Sequence, residues 1–220
     1  MITVYGRRSS VNVQKVLWTL AELGQPFERV TVGGEFGGNN TTDYLAMNPM
    51  GLVPVLVDDG VTMFESNAIV RFLCARYGED SLRPEEAKEL AAAEQWMEWQ
   101  ALNVFPLIGT MFMNLVRTPP EKRDDAAVRA AAIKLQKPLA VADTHLARQP
   151  WFAGDSFTMA EIIMGSVYWR YSQLDYEKIA APHVQNWFER LKERKGYRDW
   201  IMVPFGHNPE EWTQYERELK

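Results

Sequence analysis

The sequence has 220 residues, of which 46% are hydrophobic and 24% are charged, and its formal net charge is −5 at pH 7. This composition is typical of a folded globular protein and argues against disorder. The negative charge and the lack of a basic stripe argue against nucleic acid as a partner. A single cysteine, Cys74, excludes an intrachain disulfide and favours a reducing compartment, so we expect a cytoplasmic protein. No apolar run approaches the ~18 residues that a membrane-spanning helix needs, so no membrane partner is expected.

The first part of the chain alternates strand and helix signals. A strand is predicted over 2–5, and a helix over 10–23 that ends at Gly24, a residue suited to the left-handed position after a helix. A second strand is predicted over 27–32. A loop rich in Gly and Asn follows, with a short irregular helix near 43–47.

A β-hairpin is predicted next. Two apolar runs, 53–57 and 61–64, flank an Asp-Asp-Gly segment, and Asp-Gly accepts the positive φ that tight hairpin turns require. A helix over 66–77 follows and ends at Gly78. The order βαβ and then αββα predicts a small mixed sheet flanked by helices, with the first two strands parallel and the hairpin antiparallel.

The remainder of the chain is predicted to be helical. We divide the sequence into a first domain, a polar linker, an all-helical domain and a tail of uncertain order, over 1–78, 79–85, 86–203 and 204–220. Helical segments are predicted over 86–117 and 124–148, and Pro106 should break the first of them. A third helix should start at a capping box formed by Thr158 and Glu161. A fourth is predicted over 183–195 and should stop near Gly196.

Pro54 stands between apolar strand residues just before the hairpin, in the segment 48–54 (Asn-Pro-Met-Gly-Leu-Val-Pro). Proline inside a strand cannot donate a ladder hydrogen bond. A cis bond between Val53 and Pro54 would turn the backbone of Val53 outward, ready to pair with an extended peptide. A trans proline at the start of a strand is the simpler interpretation, and this segment alone does not decide between the two.

Glu65 and Ser66 stand where a strand ends and a helix begins. The free amides of a first helical turn form an anion site, and Ser66 is a suitable N-cap residue. A carboxylate beside such a site would suit an α-amino acid, with the amides for its carboxylate and Glu65 for its ammonium. Simple capping of the helix is the competing interpretation.

Ser10 and Asn12 lie at the start of the first predicted helix. Their hydroxyl and amide donors, at the positive end of a helix, suit a thiolate. Lowering a thiol pKa of ~8.5 by two units takes ~2.7 kcal/mol, and one or two hydrogen bonds to a charged sulfur, at ~1.5–3 kcal/mol each, can supply it. The alternative is that both residues merely cap the helix.

Other chemistries find little support. The three histidines have no metal-ligand spacing, so no metal is expected. There is no Gly-x-Ser-x-Gly elbow, no Walker loop and no Gly-x-Gly-x-x-Gly after the first strand. Cys74 lies on a predicted helix with an apolar face and is interpreted as a core thiol, and no Cys-x-x-Cys pair exists.

Taken together, the βαβ unit and two segments resemble the glutathione site of the glutathione transferase superfamily. Residues 48–56 resemble its Asn-Pro-x-Gly-x-Val-Pro signature, and 65–69 resemble its Glu-Ser-x-Ala-Ile signature. Residues 157–161 resemble the family's buried capping box and hydrophobic staple, with Glu161 where Asp is usual. The resemblance spans about residues 1–200 and implies an α/β plus all-α protein, with a thioredoxin-like N-terminal domain (βαβαββα) and a C-terminal helical bundle.

The resemblance implies a role for each candidate residue. The proline of the family is cis, so Val53, ahead of Pro54, would pair antiparallel with the cysteinyl part of glutathione. Glu65 and Ser66 would hold the γ-glutamyl end. Ser10 and Asn12 resemble a bacterial arrangement in which a hydroxyl residue is followed two places on by Asn, both near the sulfur.

Two points of the resemblance leave alternatives. Ser9 is the competing hydroxyl, because it matches the serine-type eukaryotic members if the loop aligns one residue earlier. Leu52 stands where the family often has a Lys or Arg for the glycine carboxylate of glutathione, so Arg7 or a partner subunit would have to supply that charge.

The implied function is that of a dimeric glutathione transferase, with glutathione as co-substrate, that attacks small, largely hydrophobic electrophiles in detoxification. Glutathione-dependent disulfide reduction is one alternative, and a non-catalytic interaction or ligand-binding module is another. The second-substrate pocket is expected between the Ser10 loop and the start of the helical domain, and its candidate lining residues are Trp96, Trp99, Phe105, Met111 and Phe112.

Overall fold

A computed structural model describes residues 1–78 and 82–219. The predicted linker 79–85 therefore falls partly outside the described residues. No helix in the described ranges combines the length and the apolar character needed to cross a membrane.

The first part of the chain folds around a four-stranded sheet with the order β2-β1-β3-β4. The strands are β1 (Ile2–Tyr5), β2 (Phe27–Val30), β3 (Val55–Asp58) and β4 (Val61–Phe64). β1 pairs parallel with β2 and antiparallel with β3, and β3 pairs antiparallel with β4. This confirms the mixed sheet.

Ten α-helices are found in the described residues. They are α1 (Val11–Glu22), α2 (Thr42–Met47), α3 (Ser66–Tyr77), α4 (Ala87–Asn103), α5 (Phe105–Val116), α6 (Asp125–Leu146), α7 (Met159–Gln173), α8 (Pro182–Lys192), α9 (Lys195–Trp200) and α10 (Pro209–Glu218).

Most of the glycine, proline and capping residues that were predicted to end or start an element do so in the structure. Gly24 follows α1 with φ 62°, and the turn residues Asp59 and Gly60 have φ 47° and 82°, as a tight hairpin requires. The segment with Pro106 is broken into α4 and α5, and the proline lies in the first turn of α5, where its missing N–H costs nothing. In the capping box, Glu161 accepts hydrogen bonds from Thr158 N at 2.9 Å and from Thr158 Oγ1 at 2.8 Å.

Two predicted element bounds differ from the structure, and the structure also defines the tail. β2 ends at Val30, two residues earlier than expected. The helix predicted to stop near Gly196 ends at Lys192, and Gly196 lies inside α9, where a Cβ would come within 2.9 Å of Trp18. Close packing of α9 on Trp18, and not chain termination, therefore accounts for this glycine. The tail, whose order the sequence left uncertain, forms α10 between Pro209 and Glu218.

The two parts of the chain share a core. Trp18 of α1 is fully buried, with its ring 4.8 Å from that of Tyr197 in α9 and 5.8 Å from that of Phe157. Gly165 of α7 also approaches this indole, since a Cβ there would lie 3.1 Å from it. Helix α1 is thus held from both sides, which fixes the position of its N-terminal end.

Candidate active site

The loop ahead of α1 carries two adjacent hydroxyl groups in different surroundings. Ser9 is buried, and its Oγ donates to Glu216 Oε1 at 2.6 Å. Ser10 is the N-cap residue of α1, but its side chain makes no capping hydrogen bond and has no other partner among the residues described. The side chain of Asn12 is half-buried and likewise has no hydrogen-bond partner within 1–78 or 82–219. The structure therefore leaves Ser10 and Asn12 free to bind a ligand and engages Ser9.

Glu216 ties α10 to this loop. Its side chain is 1% exposed and forms an ion pair with Arg7 Nε at 2.7 Å. It also accepts a hydrogen bond from the backbone N–H of Glu35 at 3.3 Å. One carboxylate thus fixes the Ser9 hydroxyl, a guanidinium and the short 3₁₀ helix of residues 34–36. Removing such a partner would leave a buried positive charge unpaired.

Arg170 of α7 supports the same loop from the helical side. Its Nη2 donates to the carbonyl oxygen of Ser9 at 2.5 Å, and its guanidinium lies 4.3 Å from the ring centre of Phe112. Burial lowers the pKa of Arg170 to about 9, and the nearby charges of Arg7 and Arg117 act in the same direction. The loop before α1 is therefore held in a positively charged, poorly hydrated environment.

The peptide bond between Val53 and Pro54 is cis, as the resemblance implied. The preceding turn is held by the carbonyl group of Leu52, which accepts hydrogen bonds from Tyr44 Oη at 2.7 Å and from Asn48 Nδ2 at 2.8 Å. β3 begins only at Val55, and the backbone of Val53 makes no hydrogen bond to the described residues. Its N–H and C=O remain available.

Glu65 and Ser66 lie at the start of α3. Glu65 is exposed and has φ 70°, an uncommon conformation for a residue other than glycine, and such outliers cluster at functional sites. Ser66 is buried as the first helical residue, and the hydroxyl has no hydrogen-bond partner in the described parts of the chain. The first amides of α3 lack intrahelical partners, so this end can bind an anion.

Lys15 connects the two helix ends. Its Nζ donates to Asn67 Oδ1 at 3.2 Å and lies 4.9 Å from the ring centre of Phe105, and the residue is 3% exposed. Burial lowers the pKa of Lys15 to about 7, while the charge of Glu65 opposes this shift and that of Arg170 adds to it. No sequence pattern assigned a role to Lys15.

The predicted pocket residues separate into two groups. Trp96 and Trp99 pack together at 4.9 Å between ring centres, and Trp96 also contacts Phe152, so this pair packs in or against the hydrophobic core. Phe105 contacts Lys15, and Phe112 packs against Trp212 of α10 at 5.5 Å. Met111 is fully buried.

Arg7 was expected as one possible source of the positive charge that Leu52 does not provide for the glycine carboxylate of glutathione. Arg7 is already paired with Glu216, and Leu52 itself is 61% exposed.

A cavity of about 610 Å³ lies away from this site. It is lined by α5, α6, α7 and the loop after α7, and none of its lining residues comes from 1–78. Three or more His, Cys, Asp or Glu side chains arranged to hold a metal do not occur in the described ranges.

Sequence reasoning missed several residues that surround the loop before α1. They are Lys15, Arg117, Arg170, Trp212 and Glu216. A cap residue, Asn208, and charged residues in the first turn of α10 could have signalled the helix, since Asn208 accepts a hydrogen bond from the backbone of Glu211. No local pattern signals the burial of Glu216.

Comparison with known proteins gives consistent matches along the chain. Residues 4–81 match the family model "Glutathione S-transferase, N-terminal domain", and residues 104–195 match "Glutathione S-transferase, C-terminal domain". Glutathione S-transferase GstB of Escherichia coli (strain K12) is 41% identical over 206 residues, which cover 93% of this chain and 99% of that protein. Glutathione S-transferase 3 of Zea mays is 32% identical, with 90% and 91% covered.

Solved structures agree. The theta class glutathione S-transferase from Xanthomonas axonopodis pv. citri, determined with glutathione bound, superposes with a TM-score of 0.90 and 40% identity, over 93% of this chain and 99% of that one.

The pKa of Lys15 yields a test by pH. In the folded protein this pKa is near 7, below the 10.5 of an ordinary lysine, so protonation opposes folding. The free energy of unfolding of the wild type should therefore fall as the pH decreases from about 10 to 7, relative to Lys15→Met, and the difference should level off below 7. Urea titrations across this range measure it.

Lys88→Met is the matched control, since Lys88 is exposed on α4 and its variant should follow the wild-type profile. A stability difference between Lys15→Met and wild type that stays constant from pH 10 to 6 would contradict the assignment.

Proposed function

The chain belongs to the glutathione S-transferase family, and we propose that it activates the thiol of glutathione with Ser10 and Asn12 for attack on small electrophiles. The observation that carries this proposal is the difference between the two neighbouring serines: Ser9 is bound by Glu216, whereas Ser10 and Asn12 have free side chains at the start of α1. A hydroxyl that only caps a helix would accept a hydrogen bond from a backbone N–H of the first turn, and the Ser10 side chain does not.

The surroundings of this loop favour an anion. The N-terminal end of α1 carries a partial positive charge, and the guanidinium of Arg170 reaches the backbone of Ser9. Both effects favour the thiolate over the thiol, in addition to the hydrogen bonds from Ser10 and Asn12. In the reaction, the thiol loses its proton to solvent, the sulfur bonds to the electrophilic carbon, and the leaving group departs with its electron pair.

Glutathione would be held by the two signature segments. The free N–H and C=O of Val53, beside the cis Pro54, would pair with the cysteinyl residue. Ser66 and the first amides of α3 would bind the γ-glutamyl carboxylate, and the exposed carboxylate of Glu65 would bind the ammonium. The residues present therefore fit this substrate in every part except the glycine carboxylate, for which Leu52 offers no charge.

The division into a glutathione-binding domain over 1–78, a linker over 79–85, a helical domain over 86–203 and a tail stays a prediction. A cytoplasmic location also stays one, and the buried single cysteine, Cys74, is compatible with it.

We further propose a homodimer, formed through the edge where α3 and α4 meet. Arg71 of α3 forms ion pairs with Glu94 and Glu98 of α4, which places these helices side by side. Leu102 lies one turn beyond Glu98 on the same face of α4 and is 74% exposed. A large exposed apolar side chain beside a ring of charges is typical of a subunit contact.

Leu102→Glu should convert the dimer to a monomer, because a carboxylate at this contact would lose its hydration without a partner. Sedimentation equilibrium would show the wild type at twice the chain mass and the variant at the chain mass. Ile133→Glu on α6 is the control, since Ile133 is 66% exposed on another helix and should stay dimeric. A monomeric wild type would contradict the proposal.

Ser10→Ala should raise the pKa of bound glutathione by about 1–2 units, since one hydrogen bond to a charged sulfur contributes ~1.5–3 kcal/mol. Asn12→Ala should raise it as well. The measurement is thiolate absorbance against pH, with turnover of a chloronitrobenzene and of a mixed disulfide as separate assays for transfer and disulfide reduction.

Ser9→Ala is the matched control, since its hydroxyl is bound to Glu216 and the variant should keep the wild-type thiol pKa. A larger shift in Ser9→Ala than in Ser10→Ala would reverse the assignment. A wild type that neither binds immobilised glutathione nor turns over either substrate would favour the non-catalytic module.

A further inference from the structure

The surroundings of the loop before α1 hold more positive than negative charge. Arg7 and Arg170 both contact the Ser9–Glu216 pair, and Arg117, at the C-terminal end of α5, is close enough for its charge to act on both arginines. Glu216 is the carboxylate that offsets these three guanidinium groups. The cluster therefore carries an excess of positive charge in a poorly hydrated place, which favours the binding of an anion.

Arg117 differs from the other two arginines. Arg7 is paired with Glu216, and Arg170 donates to the backbone of Ser9. The side chain of Arg117 forms no hydrogen bond or ion pair with any residue in the described ranges. It is half-buried, and its guanidinium lies 4.8 Å from the ring centre of Trp212. Its donors are thus available, and stacking on the indole holds their plane in place.

A cluster of buried aromatic side chains, each 3–6% exposed, lies beside this guanidinium. Trp212 and Phe112 pack edge to face at 5.5 Å, and Phe112 also contacts Phe205 at 5.2 Å. A guanidinium binds a carboxylate through two parallel hydrogen bonds, and aromatic side chains bind aryl groups. The combination fits an aryl carboxylate better than a neutral hydrocarbon.

This aromatic cluster is also connected, through α10, to the loop that carries the proposed site. Trp212 and Glu216 lie one turn apart on α10, and Glu216 holds Ser9, the residue next to Ser10. A ligand bound by Arg117 would therefore lie beside the junction of α10 with the loop before α1.

We propose that the second substrate of this enzyme carries a carboxylate, which Arg117 binds at the position where its guanidinium is held against Trp212. This inference rests on the proposed function, since it names the substrate class of the same site. It narrows the expectation of a largely hydrophobic electrophile to an anionic one. The competing account is that the arginine cluster serves the thiolate of glutathione alone.

A matched pair of electrophiles separates these accounts. 4-(Chloromethyl)benzoate and 4-(chloromethyl)benzamide share the reacting carbon and the leaving group and differ in charge. In both, the glutathione sulfur bonds to the benzylic carbon and chloride leaves with the bonding electrons. The wild type should prefer the benzoate in kcat/KM, and Arg117→Gln should reduce that preference by about 10-fold or more, as loss of a charge-assisted pair implies.

Arg117→Gln should reduce turnover of the amide much less than turnover of the benzoate, since a neutral group does not need the guanidinium. Arg129→Gln, which removes an exposed arginine of α6, is the control of equal net charge and should retain the wild-type preference. Arg117→Lys keeps the charge without the planar fork and should give an intermediate preference, and it replaces the glutamine variant if that does not fold.

Binding supplies a readout that does not depend on turnover. Calorimetry with S-(4-carboxybenzyl)glutathione and S-(4-carbamoylbenzyl)glutathione should show the same preference and the same loss in Arg117→Gln.

Equal affinity of the wild type for both conjugates, or an equal loss for both substrates in Arg117→Gln, would overturn the inference and leave the transferase proposal standing. Failure of the wild type to bind glutathione itself would instead refute the proposed function.

Discussion

The buried carboxylate of Glu216 is the contact on which the geometry of the candidate site depends. It joins α10 to the loop before α1 by binding the hydroxyl of Ser9 and the guanidinium of Arg7, and it reaches the backbone of Glu35. Because it occupies Ser9, the neighbouring Ser10 is left as the free hydroxyl at the N-terminal end of α1. Under the proposed function, α10 thus determines which of the two adjacent serines can act.

The same contact controls the charge of the site. Arg170 is buried against the backbone of Ser9. Burial, together with the charges of Arg7 and Arg117, lowers the pKa of Arg170. One carboxylate offsets part of this charge and leaves an excess. A positive, poorly hydrated site favours a thiolate and an anionic second substrate, so the proposed thiolate and the proposed substrate class both rest on one arrangement of charges.

The sequence predicted those features that local patterns encode. The bounds of α3, the turn at Asp59 and the capping box at Thr158 follow from short-range backbone chemistry, and the structure confirms them. Burial of Glu216 depends on a contact with Ser9, 207 positions earlier in the chain, and no periodicity of α10 reveals such a partner. The helix end predicted at Gly196 was wrong for the same reason. This glycine allows close packing against Trp18, a contact that is distant in sequence, and does not end a helix.

A crystal structure with glutathione bound tests the central claim most directly. The account predicts the sulfur within hydrogen-bond distance of Ser10 Oγ and the Asn12 side chain, with Ser9 Oγ still bound to Glu216 and the cysteinyl backbone paired with Val53. A sulfur bound by Ser9, with the Glu216 carboxylate turned away, would contradict it.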